Sequence, residues 1–263
     1  MTAPPRAPLP LADRAVALRG LSKRFARVVA VDGLDLDVPA GSFFGLVGPN
    51  GAGKTTTLSM LTGLLRPDAG HVHVAGVEVW DDVVEAKRRI GVLPEGLRLF
   101  ERLSGRELLL FSGQLRDLPL AEVSERAGEL QSVLGLAGDA DRLVVDYSTG
   151  MRKKVALASA LLHNPSVLFL DEPFEAVDPV SARTIRDVLG RYTARGGTVV
   201  LSSHVMALVE RLCDHVAVVV RGRVVAGGSL DDVRGDRPLE DVLVDLVGAP
   251  PASKGALGWL GSH

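Results

Sequence analysis

The eight residues Gly48-Pro49-Asn50-Gly51-Ala52-Gly53-Lys54-Thr55 constrain this chain more than anything else in it. They match in full the pattern of Gly, four free positions, Gly-Lys and a hydroxyl residue. Glycines at those places let backbone N–H groups turn inward around phosphate oxygens, where the N-terminus of a following helix also favours negative charge. On this reading Lys54 reaches β- and γ-phosphates and the Thr55 hydroxyl is a ligand for Mg2+. The alternative is a Gly-rich turn with an incidental Lys-Thr, and the flanks speak against it. Gly41 to Val47 is a nearly continuous apolar run, as a fully buried strand requires, and Thr55 to Leu65 has helical texture.

The rest of the chain fits the same kind of sheet. Val16 and Leu18, then Val28 to Val31, lead into Leu34, Leu36 and Val38, which alternate with Asp35 and Asp37. That alternation predicts half-buried antiparallel strands. From about Gly96 to Leu162 the composition shifts to Glu, Arg, Leu and Ala, with Leu108, Phe111 and Leu115 near the helical period and Val123, Leu130 and Leu134 in a second such segment. Val167 to Leu170 and Thr198 to Leu201 are short apolar strands around the helical stretch Ser181 to Arg195, the spacing of a parallel sheet with a right-handed crossover. Val216 to Val220, Arg221-Gly222 and Val224 to Ala226 read as a hairpin. Residues 1–14 and 249–263, rich in Pro and Gly, read as flexible tails around one domain, 15–248.

Composition excludes several classes. With 46% apolar and 24% charged residues the chain is neither disordered nor collagen-like. Its longest uncharged stretches, such as Val155 to Leu170, reach only 16 residues, and that one contains His163, Asn164 and Pro165. A bilayer-spanning helix needs about 20 mostly apolar residues, so no span is predicted. Met1 to Asp13 lacks the apolar core of a signal peptide. A single cysteine, Cys213, cannot form an internal disulfide, which fits a reducing compartment. The net charge of −2, with no basic stripe, gives no reason to expect nucleic acid as a partner.

Two further segments carry chemistry. Val167-Leu168-Phe169-Leu170-Asp171-Glu172 delivers two carboxylates at the end of a buried strand, where open α/β sheets bind ligands. Asp171 is then expected to hold the Mg2+ shell and Glu172 to take a proton from an attacking water. Tyr147-Ser148-Thr149-Gly150-Met151 heads an Ala/Leu-rich helix and offers a second anion-binding helix N-terminus, although a plain turn with a helix cap explains that segment equally well alone. His71 and His73 share one face of a strand, but the chain sets no Cys, Asp or Glu at ligand spacing beside them, and no metal site is expected there.

Taken in order, the phosphate loop, the Ser-x-Gly helix, Leu-Asp-Glu-Pro, Asp178 and Ser202-Ser203-His204 resemble the ATP-binding cassette (ABC) ATPase family, the nucleotide-binding subunits of ABC transporters. The resemblance spans about Val16 to Gly248. It implies an α/β fold: a P-loop NTPase core with a mostly parallel sheet, an N-terminal antiparallel β subdomain and an inserted α-helical subdomain at about 96–162. It implies ATP and Mg2+ as ligands, contacts to nucleotide from Gly48 through Thr55 and Thr56, adenine stacking on Phe25, and catalytic roles for Lys54, Glu172 and His204, the last sensing the γ-phosphate. For Phe25 the alternative is a core or edge aromatic. Ser148 and Gly150 match the signature residues that contact the γ-phosphate of a partner subunit's ATP in a head-to-tail homodimer, and Asp178, kept in the loop after Glu172, is carried over as a nucleotide-binding residue.

Departures from the family pattern are specific. Glu95, in Val92-Leu93-Pro94-Glu95-Gly96, stands where many members have Gln, and is expected to ligate Mg2+ or a water while adding negative charge. Phe174 and Glu175 replace small polar residues ahead of Asp178. Glu95, the Tyr-Ser-Thr-Gly-Met signature and Leu239-Glu240-Asp241-Val242-Leu243 resemble the subgroup that works with ABC-2-type exporter permeases. The implied function is ATP hydrolysis that powers translocation through separate permease subunits, from the cytoplasmic face of the membrane. The rival is a soluble ABC ATPase acting on nucleic acid or the ribosome; a P-loop kinase would lack the Ser-x-Gly helix. Leu97, Leu99 and Phe100 are read either as core or as the lining of a groove for a permease helix.

Overall fold

The central strand, β3 (Phe43–Val47), is buried along its whole length. Its side chains divide between two cores, Phe44 and Leu46 to one and Phe43 and Val47 to the other, as the two-residue period of a strand dictates. In this computed structural model, which describes residues 13–248, β3 lies between β8 (Thr198–Ser203) and β9 (His215–Val220), both parallel to it. β7 (Val167–Asp171) and β6 (Ile90–Leu93) continue the parallel run beyond β8, while β10 (Arg223–Ser229) closes the opposite edge as an antiparallel hairpin with β9. Strands covered on both faces must be apolar throughout, which is why β3, β7 and β8 read as continuous hydrophobic runs.

A second, antiparallel sheet has the order β2-β1-β4-β5, from β1 (Arg14–Phe25), β2 (Val28–Pro39), β4 (Ala69–Val74) and β5 (Val77–Glu78). It buries Val16, Leu18 and Leu21 against Phe44, Leu46 and Phe169 of the parallel sheet, with Leu58 and Met60 of α1 (Lys54–Leu61) filling the same core. α2 (Val83–Arg89) packs there through Ala86. The other face of the parallel sheet carries α3 (Gly105–Gln114), α4 (Leu120–Val133), α5 (Thr149–Leu161), α6 (Pro179–Ala194) and α7 (Met206–Leu212), followed by α8 (Leu230–Arg234) and α9 (Leu239–Val247).

Several local readings need correction. Arg14 is the first residue of β1 rather than part of a tail; residues 1–12 and 249–263, which hold the remainder of the expected tails, lie outside the described residues. In α3 the buried stripe is Leu108 and Leu109, while Leu115 is 68% exposed, because the helix stops at Gln114 and Leu115 only caps it. The helix expected from Thr55 to Leu65 ends at Leu61, and Gly63 follows with a left-handed φ of 67°. α6 begins two residues earlier than expected because Asp178 caps it and Pro179 occupies its first turn. Glu78 of β5 comes within 3.1 Å of His73 and 3.8 Å of His71, a carboxylate that spacing along the chain did not reveal.

Candidate functional site

The loop after β3 can exist only with glycine at two places. At Gly48 (φ 153°) an added Cβ would lie 2.2 Å from the Val219 carbonyl oxygen, and at Gly53 (φ 104°) 2.4 Å from that of Ala30. The loop is therefore wedged between β9 and the β1–β2 hairpin, and the turn after β9 braces it further, with Gly222 N–H donating to Ala52 O at 2.9 Å. Lys54, the first residue of α1, is buried; its Nζ donates to Gly48 O at 2.7 Å and to Pro49 O at 3.2 Å. Burial lowers its pKa from the ordinary lysine value, while the charges of Glu172, Asp171 and Glu95 pull the other way. The loop lysine and three carboxylates thus form one electrostatic cluster.

β7 sets the carboxylates. Asp171 is its last residue, and its Oδ1 accepts a short hydrogen bond from Ser202 Oγ at the end of β8. Ser202 Oγ in turn accepts the Glu172 N–H at 3.1 Å. Glu172 has a left-handed backbone (φ 45°), and its Oε1 lies 2.8 Å from His204 Nδ1. Its carbonyl accepts from Lys153 Nζ on α5 at 2.7 Å. Thr55 Oγ1 donates to Glu95 Oε2 at 3.3 Å, and Thr55, Glu95 and Asp171 line one cavity of about 120 Å3 with Pro94, Val92 and Phe169. The sequence names Ser202 only within Ser202-Ser203-His204, with no role of its own, and does not single out Lys153. Ser202 had a signal, a hydroxyl at a strand end before His204; Lys153 was hidden in the basic run Arg152-Lys153-Lys154.

Other expected residues gather elsewhere. Ser148 caps α5, accepting from Met151 N at 3.3 Å, and Gly150 is buried in its first turn, where a Cβ would meet Ser181 Oγ at 2.7 Å and Asp178 Oδ2 at 2.8 Å. Asp178 caps α6 through Val180 N (3.0 Å) and Ser181 N (2.9 Å), and the Ser181 bonds hold its carboxyl below the usual range. Ser148, Gly150 and Asp178 therefore form a group at two helix N-termini, and among the described residues no hydrogen bond joins them to the loop 48–55. Phe25 ends β1 and is 47% exposed with Lys23 Nζ 5.8 Å from its ring centroid, so it is an edge aromatic with an open face rather than core.

With this arrangement in place, comparison with known proteins is decisive. The profile of the ABC transporter family matches residues 31–175, more than half of the chain.

The chain belongs to the ABC transporter family. It is 40% identical over 221 residues to the daunorubicin/doxorubicin resistance ATP-binding protein DrrA of Streptomyces peucetius, an alignment covering 84% of this chain and 67% of that one. It is 34% identical to the linearmycin resistance ATP-binding protein LnrL of Bacillus subtilis, over 81% of this chain and 68% of that one. A solved ATP-binding subunit of an ABC transporter superposes with a TM-score of 0.82 at 29% identity, covering 88% of this chain and 99% of the other. A dimeric ATP-binding cassette in a post-hydrolysis state with ADP and phosphate, 24% identical, shares the fold with a TM-score of 0.75 over 82% of this chain and 98% of that one. The α/β P-loop architecture expected from the sequence is the ABC ATPase fold, and the chain is an ATP-binding, ATP-hydrolysing member of the family.

Proposed function

We propose that this ABC ATPase powers export of a small molecule through separate membrane-spanning permease subunits, working at the cytoplasmic face of the membrane. The observation that carries the reading is the kind of relative it has: besides the two resistance proteins, it is 39% identical to the fluoroquinolones export ATP-binding protein Rv2688c of Mycobacterium tuberculosis, over 89% of this chain and 77% of that one. Among the described residues no helix is long and apolar enough to cross a membrane, and the reading gives the translocation path to the permease.

In this account Gly48 through Thr55, with Thr56, hold the phosphates of ATP, Lys54 supplies the charge at the β- and γ-phosphates, and Phe25 stacks on adenine. Thr55, Asp171 and Glu95 fit Mg2+, being hard oxygen donors around one small cavity. The ion would neutralise charge between the terminal phosphates when bound there. Glu172 accepts the proton of the attacking water, its carboxylate oriented by His204 at 2.8 Å. Ser148, Gly150 and Asp178 serve the second copy of a head-to-tail dimer, completing its nucleotide site.

The permease is assigned to the surface around Phe100. That ring is 58% exposed and packs edge-to-face on Phe111 (5.2 Å between centroids, 86°), with Leu97 and Leu99 half-buried beside it. Exposure of this order favours the groove over the core alternative. The test is purification of the tagged chain in mild detergent from its native membranes. A stoichiometric membrane-spanning partner is expected, and Phe100→Ala should lose that partner while keeping its melting temperature. Recovery of ribosomes or nucleic acid instead of a membrane protein would overturn the reading.

A further inference from the structure

The basic run Arg152-Lys153-Lys154 at the start of α5 splits into three separate contacts. Arg152 pairs with Glu101 at 2.8 Å, and Lys154 is buried on the side whose charge reaches Asp178. Lys153 turns to the catalytic strand end and donates from Nζ to the Glu172 carbonyl oxygen at 2.7 Å. We propose that Lys153 is a positioning residue for ATP hydrolysis, fixing the backbone of Glu172 so that its carboxylate stays on the line of attack. The proposal rests on the reading of Glu172 as the base.

The physical case starts from the backbone. Glu172 has φ 45°, a left-handed conformation that a side-chain-bearing residue adopts only when its surroundings hold it there. Its N–H is held by Ser202 Oγ at 3.1 Å. Its carbonyl accepts from Glu175 N at 3.2 Å and from Lys153 at 2.7 Å, the shorter bond being charge-assisted. The Glu172 backbone is thus held at the peptide groups before and after its Cα, and with it the side chain that His204 contacts. A flexible four-carbon stem is what reaches from the second turn of α5 to this carbonyl. Burial lowers the Lys153 pKa, while Glu175, then Glu172 and Glu95, favour its charged form. Glu175 is one of the two residues that depart from the family pattern in this loop, so the departure comes with a cation facing it. Because α5 begins at the Ser148-Thr149-Gly150 turn, the clamp also ties the placement of Glu172 to the position of that helix.

The test compares Lys153→Met, Lys153→Gln and Lys153→Arg in the full chain by steady-state ATPase assay and by binding of a fluorescent ATP analogue. Lys153→Met and Lys153→Gln should lower kcat about tenfold or more, the scale of a misplaced catalytic group, with affinity for the analogue unchanged. Lys153→Arg, which keeps a long cationic donor, should recover most of the rate. In a Glu172→Gln background Lys153→Met should cost nothing further, since it acts through that carboxylate. Wild-type kcat in Lys153→Met, or unfolding of both neutral variants, would overturn the proposal. If Glu172→Gln itself turns over ATP normally, the assignment of the base is what fails.

Discussion

At the scale of single residues, the Ser202 hydroxyl is what separates two adjacent carboxylates into different groups. It donates to Asp171 and accepts the N–H of Glu172, so Asp171 is pinned at the strand end while Glu172 leaves the strand with a left-handed turn toward His204. If Glu172 is the base, Glu172→Gln should lower kcat by about 10²–10⁴ with ATP binding nearly intact. Lys54→Ala should weaken binding and turnover together, because it deletes a charge-assisted contact worth about 1.5–3 kcal/mol. Titration with a fluorescent nucleotide beside a phosphate-release assay separates the two, and equal loss of affinity in both variants would count against the division of labour. The positions of Gly48 to Thr55, Asp171 and Glu172 were legible because each motif is contiguous and its flanking strand is written in apolar residues. Ser202 and Lys153 were not, since they reach the site from segments about 30 and 20 residues away by contacts that only the folded sheet creates.

At the scale of elements, β6 and α5 are pressed together at one glycine. A Cβ on Gly91 would lie 2.2 Å from Ala160 O and 2.6 Å from a Leu168 methyl, so Gly91→Ala must shift backbone. The expected cost is about 1–3 kcal/mol, read as a lower urea midpoint; an unchanged midpoint would mean that this packing is wrong. The same junction holds His163, whose Nε2 meets Ile90 O at 2.9 Å while Nδ1 is buried without a partner. Burial, helped by the nearby Arg116 charge, pushes its pKa down from 6.5 to about 4. A group depressed on folding contributes stability that is whole above its unfolded value and is lost as pH falls toward the folded one. Between pH 7.5 and pH 5 the protein should therefore lose about 1–2 kcal/mol more than His163→Gln does, measured by urea unfolding of both at each pH. Equal losses would place His163 in water. The elements themselves were legible where the pattern was unbroken, as in the continuous apolar runs of β3 and β7 and the helical stretch of α6. The ends of α1 and α3 were not, because Gly63 and the chain turn at Leu115 stop a helix whose apolar residues continue past it.

At the scale of the whole molecule, one mostly parallel sheet with a core on each face sets the loop 48–55 and the strand-end carboxylates side by side, and holds the Ser148–Gly150 turn in a separate group with Asp178. The order of the motifs made the family legible before any fold was known. The arrangement of sheets follows from burial: continuous apolar strands go to the doubly covered sheet and alternating ones to the singly covered sheet. What a single chain does not write down is which surface meets a second copy. The central claim of this account is that a working nucleotide site is completed across two copies arranged head to tail, each lending its signature turn to the other. The most direct measurement is size-exclusion chromatography with light scattering on Glu172→Gln, with and without saturating ATP and Mg2+. The account predicts a species of two 27.8 kDa chains with nucleotide and a monomer or weak dimer without it; only monomer at saturating ATP and Mg2+ would contradict it.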